Sequence, residues 1–231
     1  MPPARKKTNF AAWKKPVEVE RLSVTQRRIG GEAYRDVYVG RLRFGGEAAS
    51  KARRVAVKSF VKPLSKTMAA EYQRAIKKLA GAGVPLPKMG IVRHNGKWVL
   101  VSQLFLRGGK SRLRQMGWPP TKKQAIRCAE ISARVINAGY CPSSDLFELM
   151  KRGETERRAL AIPLDLDIVV RERRSSVDSK IEYAVQEIVS EIEEKKADRR
   201  ALEGFVRELK PEYRRKARAI ISRMAAQRKQ F

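Results

Sequence analysis

Lys58 closes an alternating run, RRVAVKSF at residues 53–60, in which Val55 and Val57 fall on one side of an extended chain and Ala56 and Lys58 on the other. A lysine at a strand end ordinarily just meets solvent. Thirteen residues further on, inside a stretch of helical spacing, stands Glu71. Together the two have a joint use: the lysine can hold the phosphates of a nucleotide, and the glutamate can pair with it and aim it. Other reactive residues are scarce. Cys128 and Cys141 have neither metal-ligand spacing nor a partner cluster, and the single histidine, His94, lies in a turn-like HNGK. The chain offers no basis for zinc chemistry or for a histidine-based triad.

The elements that must position Lys58 and Glu71 follow from periodicity. RLSVTQRRIGG, AYRDVYVGRLRF and RRVAVKSF read as a three-strand meander separated by small or glycine-containing turns. PLSKTMAAEYQRAIKKLAGAG then carries Met68, Tyr72, Ile76 and Leu79 at helical spacing, with Ser65 or Thr67 as N-cap and a glycine stop. MGIVRHNGKWVLVSQLF reads as a hairpin about Asn95-Gly96. LRGGKSRLRQMGWPP has the composition of a connector. Beyond it, Ile126, Ala129, Ala133 and Ile136 predict a helix ending at Gly139. A loop, CPSSDLFELMKRGETERR, precedes a short apolar strand in ALAIPLDLDIVV. Two or three helices complete the chain: Ile181, Val185, Ile188 and Ile192 draw one stripe, and YRRKARAIISRMAAQRK is a basic helix with Ile220, Ile221 and Met224 facing inward.

Length and charge bound the rest. The 231 residues, 42% hydrophobic and 33% charged, can bury a core in one domain or two small lobes. Lys and Arg number 52 against 24 acidic residues, a net charge of +28, which predicts attraction to polyanions: nucleic acid, ribonucleoprotein or a nucleotide. No run of eighteen apolar residues and no apolar leader occurs, so no membrane role is expected and the reading is a cytoplasmic, soluble protein.

The order of elements, three strands, a helix, two strands, a linker, then helices around a loop and an acidic strand end, resembles the protein-kinase-like superfamily over roughly residues 20 to 170. It is most similar to small members: RIO-type kinases, lipopolysaccharide-kinase-like proteins, or the small kinase of the tRNA threonylcarbamoyladenosine-modifying complex. In IGGEAYRDVYVG, Gly30 matches the first glycine of the family's phosphate loop, beside Gly31, and Val37 matches its valine; Glu32 and Arg35 stand where the second and third glycines would be. Lys58 matches the family lysine and Glu71 its ion-pair partner. WVLVSQLFLRGG resembles the strand and hinge that receive adenine, with Gln103, Leu104 and Phe105 as the backbone contact. AGYCPSSDLFELM resembles the catalytic loop without its histidine. Asp145 or, one residue earlier, Ser144 occupies the base position. No asparagine follows Asn137, so Glu148 would replace the second metal ligand. LAIPLDLD resembles the strand that delivers the magnesium-binding aspartate, which makes Asp165 the ligand, with Asp167 the alternative.

The resemblance implies an α+β, two-lobed protein-kinase-like fold. Residues 1–18 would form a basic flexible arm and 19–106 an N-lobe with a five-stranded antiparallel sheet plus one helix. Residues 107–120 would form a hinge or linker, and 121–231 a reduced, mostly helical C-lobe ending in a basic helix. It implies ATP and Mg²⁺ as cofactors, an interlobe nucleotide site, and phosphoryl transfer, by default to a protein hydroxyl. The excess positive charge adds RNA or a ribonucleoprotein as a partner, through the arm and the last helix. The alternative is a catalytically inactive pseudokinase-like scaffold that binds RNA or ribonucleoprotein.

Overall fold

The computed structural model describes residues 17–18, 21–32, 35–43, 53–60, 63–86, 89–103, 106–107, 110–111, 113–114, 122–142, 147–150, 160–163, 175–194 and 197–228. The fold is α+β, and its chain divides into two compact units, the first formed by 1–77 with 87–105 and the second by 78–86 with 106–231.

The first unit is a sheet of β1 (Val17–Glu18), β2 (Arg21–Glu32), β3 (Arg35–Arg43), β4 (Arg53–Lys58), β5 (Met89–His94) and β6 (Lys97–Gln103), in the order β1-β5-β6-β4-β3-β2. Five strands are antiparallel, as the sequence predicts. The sixth, β1, was not expected: Val17 and Glu18 pair in parallel with Val92 and Arg93, inside the stretch read as a flexible arm. Two residues suffice because the edge of β5 otherwise leaves its backbone groups open. The β5–β6 turn has Asn95 at φ 48° and Gly96 at φ 74°, the positive pair a type I′ turn requires. One side of the sheet buries Leu22, Leu42, Val55, Val57, Val92, Val99 and Val101 as a single cluster. Cross-strand pairs such as Val57 with Val101 and Val92 with Val99 build it.

Helix α1 (Lys66–Gly81) is capped at its start by Ser65, whose Oγ accepts the Met68 N–H at 3.1 Å. Ala69, Tyr72, Ala75, Ile76 and Leu79 are buried, but Met68 is 43% exposed. Its phase fits the stripe; in the first turn, phase alone does not bury a side chain. The helix ends in a Schellman motif. Gly83 N–H bonds Ala80 O, Val84 N–H bonds Leu79 O, and Gly83 takes φ 76°.

The second unit packs α2 (Lys122–Asn137), α3 (Val177–Glu193), α4 (Arg199–Glu208) and α5 (Pro211–Arg228) around one core. Small residues let the helices approach: Ala125, Ala129 and Ala133 of α2 recur every four residues. Gly204 of α4 sits where a Cβ would lie 3.4 Å from Ile126 Cγ2. Phe205 and Leu209, almost fully buried, fill the centre with Ile136, Ile181 and Ile188. Asn137 locks the turn after α4, its Nδ2 donating to Glu208 O and its Oδ1 accepting from Lys210 N–H. Gly139, at φ 89°, ends α2 with a second Schellman pair, Gly139 N–H to Ile136 O and Tyr140 N–H to Val135 O. The buried Lys180 donates to Gly139 O at 3.0 Å.

Two stretches differ from the sequence reading. FELM, read as loop, is strand β10 (Phe147–Met150), which pairs antiparallel with β11 (Leu160–Pro163). Four residues, with Glu148 between Phe147 and Leu149, are too few for their alternation to stand out; the partner strand supplies the pairing. The connector carries β7 (Leu106–Arg107) paired with β8 (Lys110–Ser111), and β9 (Leu113–Arg114) paired with β10. Among the described residues no helix is long and apolar enough to cross a membrane.

Gly40→Ala would bring a Cβ to 2.6 Å from Val57 Cγ2 and 3.2 Å from Ser23 O. Val57 is β-branched and buried, so it cannot swing aside. The expected loss is about 1–3 kcal/mol in urea unfolding. A second outcome concerns alkaline pH. Burial pushes the Cys128 thiol far above its ordinary 9.0, Glu191 adds to the shift, and Arg127 opposes it. Above about pH 9 the unfolded chain releases this proton and the folded chain keeps it, so the unfolded state binds fewer protons and stability falls as pH rises. The contribution is about 1.4 kcal/mol per pH unit. Urea unfolding of wild type and Cys128→Ala between pH 9 and 11 should therefore show the shallower decline in the variant.

Candidate functional site

The residues singled out on the first unit converge through strand register. Gly30 of β2 stands opposite Val37 of β3, Val37 opposite Lys58 of β4, Lys58 opposite Leu100 of β6, and Leu100 opposite Ile91 of β5. Directly opposed residues of antiparallel strands share a face, and neighbouring strands lie about 4.8 Å apart. Gly30 and Lys58 are thus two strand spacings apart, with Val37 between them. Val37 and Lys58 are both half-buried.

That row exists because β2 is irregular. Val24 pairs with Gly40, Arg28 with Tyr38 and Gly30 with Val37, so extra residues enter β2 on both sides of Arg28. Thr25 Oγ1 donates to Val39 O at 2.9 Å at the first interruption, occupying a carbonyl opposite the break. The second interruption adds one residue, which reverses the alternation and brings Gly30 onto the Lys58 side of the sheet. The valine cluster, containing Val57, lies on the opposite face.

Glu71 lies half-buried on α1. Among the described residues no salt bridge joins it to Lys58. Positions 71 and 73 are about 200° apart on a helix and flank the buried stripe on opposite sides. Gln73, fully buried, points to the sheet edge, where its Oε1 accepts the Ile91 N–H at 3.0 Å. Glu71 therefore occupies the other flank. Sequence reasoning missed Gln73; the signal was its helical position, four residues after Ala69 and three before Ile76, on the buried side of α1.

Gln103 ends β6 opposite Val55. Glu148 lies in β10 opposite Ile162, so it belongs to a strand and not to a loop. Gly31 pairs with Asp36 next to the Gly30 row. Leu104, Phe105, Ser144, Asp145, Asp165 and Asp167 lie outside the described residues. Among the described residues no group of three or more His, Cys, Asp or Glu side chains could hold a metal ion. The charge of the last helix is partly structural: Lys216 pairs with Asp178 and Arg223 with Glu182, both of α3. Sequence reasoning credited the arm and this last helix but not α4, whereas Arg199 and Arg207 of α4 line a groove together with Arg214 and Arg218 of α5.

The arrangement defines an α+β protein with an antiparallel sheet unit and a helical unit. Neither protein-family models nor curated proteins match the chain.

Replacing Gln73 by leucine keeps the bulk and removes the acceptor of the Ile91 N–H. The expected cost is about 1–3 kcal/mol, because a buried donor is left without its partner. Hydrogen exchange should locate it, with the Ile91 amide losing protection before amides in β3 and β4.

Proposed function

We propose that the chain is a small, atypical kinase-like ATP phosphotransferase that uses Mg-ATP, with a protein hydroxyl as the default acceptor and a ribonucleoprotein as the setting. One observation carries the reading: Gly30, Val37 and Lys58 stand in a single cross-strand row. The phosphates of a nucleotide require a place where backbone can come close and a cation is near, and that row supplies a glycine and a lysine on one face. Val37 offers an apolar side chain between them, suited to the flat face of a base or ribose. Lys58 would hold and orient the phosphates. Glu71, on the flank of α1 away from the Gln73 anchor, would steer it. Gln103 to Phe105 would meet the adenine edge through backbone groups. Asp165 would hold Mg²⁺, with Glu148 as second ligand, and the ion when bound offsets the charge of the β- and γ-phosphates. Asp145 would accept the proton of the attacking hydroxyl.

A second reading is supported by the sequence AGYCPSSDLFELM, which lacks the histidine of the family's loop, and by the arginine-lined groove of the second unit. On that reading the fold is a scaffold that binds RNA and does no chemistry.

The test is transfer or release of labelled γ-phosphate from Mg·ATP by wild type, Lys58→Met and Asp165→Ala, with candidate protein and RNA acceptors supplied. Loss of one electrostatic partner of a transferring group should lower turnover about 100- to 1000-fold in either variant. A folded wild-type chain with no turnover under these conditions sinks the phosphotransferase reading and leaves the scaffold.

A further inference from the structure

Helices α4 and α5 leave a groove of about 450 Å³ between them. Its rim carries Arg199 and Arg207 from α4 and Arg214 and Arg218 from α5, and its floor is Leu202, Val206 and Ile221. The spacing is helical on both sides. Positions 199, 203 and 207 recur every four residues, as do 214 and 218, so each helix turns one stripe toward the groove. Every cation in the lining is an arginine.

These arginines are not equally committed. Arg207 pairs with Glu130 at 2.8 Å, and Arg214 caps the end of α4 by donating to Leu209 O and Arg207 O. Arg199 and Arg218 are exposed and make no hydrogen bond or ion pair among the described residues. One carboxylate, Glu203, also lines the groove and opposes an anion there. Against it stand four guanidinium groups, in a chain of net charge +28.

We propose that this groove binds the phosphodiester backbone of a single-stranded nucleic acid. Arginine presents a planar fork of donors that matches phosphate oxygens in pairs, which a lysine cannot do. The two arginine stripes flank an open seam, so a strand would lie over the seam and not between the helices. The apolar floor then meets sugar and base faces while the rim meets phosphates. A carboxylate fits the same fork, so what separates an acidic polypeptide from a nucleic acid is the apolar floor, which such a chain would give no ribose or base face to meet. The site lies wholly within the second unit and does not depend on the nucleotide reading, so the turnover assay and the binding assay fail separately.

The experiment measures fluorescence anisotropy of labelled oligo(U) and oligo(dT), each about twenty nucleotides long, against the full chain over a range of salt. The variants are Arg199→Gln/Arg218→Gln and, as a charge-matched control, Arg74→Gln/Lys77→Gln, both exposed on α1. Circular dichroism verifies that each is folded. The groove variant should bind about 20-fold more weakly at about 0.1 M salt, with the slope of log affinity against log salt reduced by about 1.4, while the control changes little. Preference for oligo(U) would specify RNA; equal binding would specify nucleic acid of either sugar. Equal losses in groove variant and control, no loss in the groove variant, or displacement of the oligonucleotides by polyglutamate at equal charge would each overturn the proposal.

Discussion

A strand repeats every two residues, and the first unit turns on where β2 breaks that repeat. The early part of β2 sets Leu22 opposite Leu42 on the valine-rich face. Had the register run on unbroken, Gly30 would belong to that same face. Extra residues on either side of Arg28 change the parity, and only then does the glycine share a side with Val37 and Lys58. Leu22 on the valine-rich face, and Gly30 on the other face in the row that runs through Val37 and Lys58 to the buried Leu100 and Ile91, are thus set apart by one backbone irregularity. The chain meets its cost locally, with the Thr25 hydroxyl on Val39 O.

The helical unit is governed by a different constraint, the closeness permitted by small side chains. Alanines at 125, 129 and 133 and the glycine at 204 remove bulk where α2 meets α4, so polar groups at the margins can reach across. Glu130 with Arg207 and Arg134 with Glu208 are such pairs, and Asn137 satisfies both an exposed carbonyl and an exposed N–H at the α4–α5 turn. Exposed pairs add little free energy one by one. Their spacing along α2, at 130, 134 and 137, instead fixes the rotation of α4 about its own axis, and with it the orientation of the arginines it presents.

How far the sequence disclosed this structure depended on the kind of signal. Asn95-Gly96 specifies its turn outright because both residues tolerate positive φ, and the helix ends at Gly83 and Gly139 follow from the same chemistry. Alternation disclosed β3, β4 and β6, and helical spacing disclosed Tyr72, Ile76 and Leu79 but overreached at Met68. Strand β10 was missed because four residues, one of them Glu148, are too short a run for a period to show, and β1 because two residues after Lys-Lys-Pro are shorter still. Lys58, Val37 and Gly30 could be named from type and order. That they form one row could not, since it follows from a register shift that no residue in β2 announces. The groove arginines of α4 were hidden for the opposite reason: in so basic a chain, Arg199 and Arg207 do not stand out until the facing helix is in place.

Residues 78–86 belong with the helical unit although they precede β5 and β6 of the sheet unit in the chain. Arg134 shows what this entails, since its guanidinium donates to Gly83 O across 51 residues and to Glu208 across 74. No single cut separates the two units into contiguous pieces. During synthesis, the turn at Gly83 leaves the ribosome well before Arg134 exists, and at typical elongation speeds it waits roughly three to ten seconds for that partner. The sheet unit is complete once residue 105 has been made, so the segment 78–86, lying inside the sheet unit's stretch of chain, waits for helices that are synthesised only afterwards.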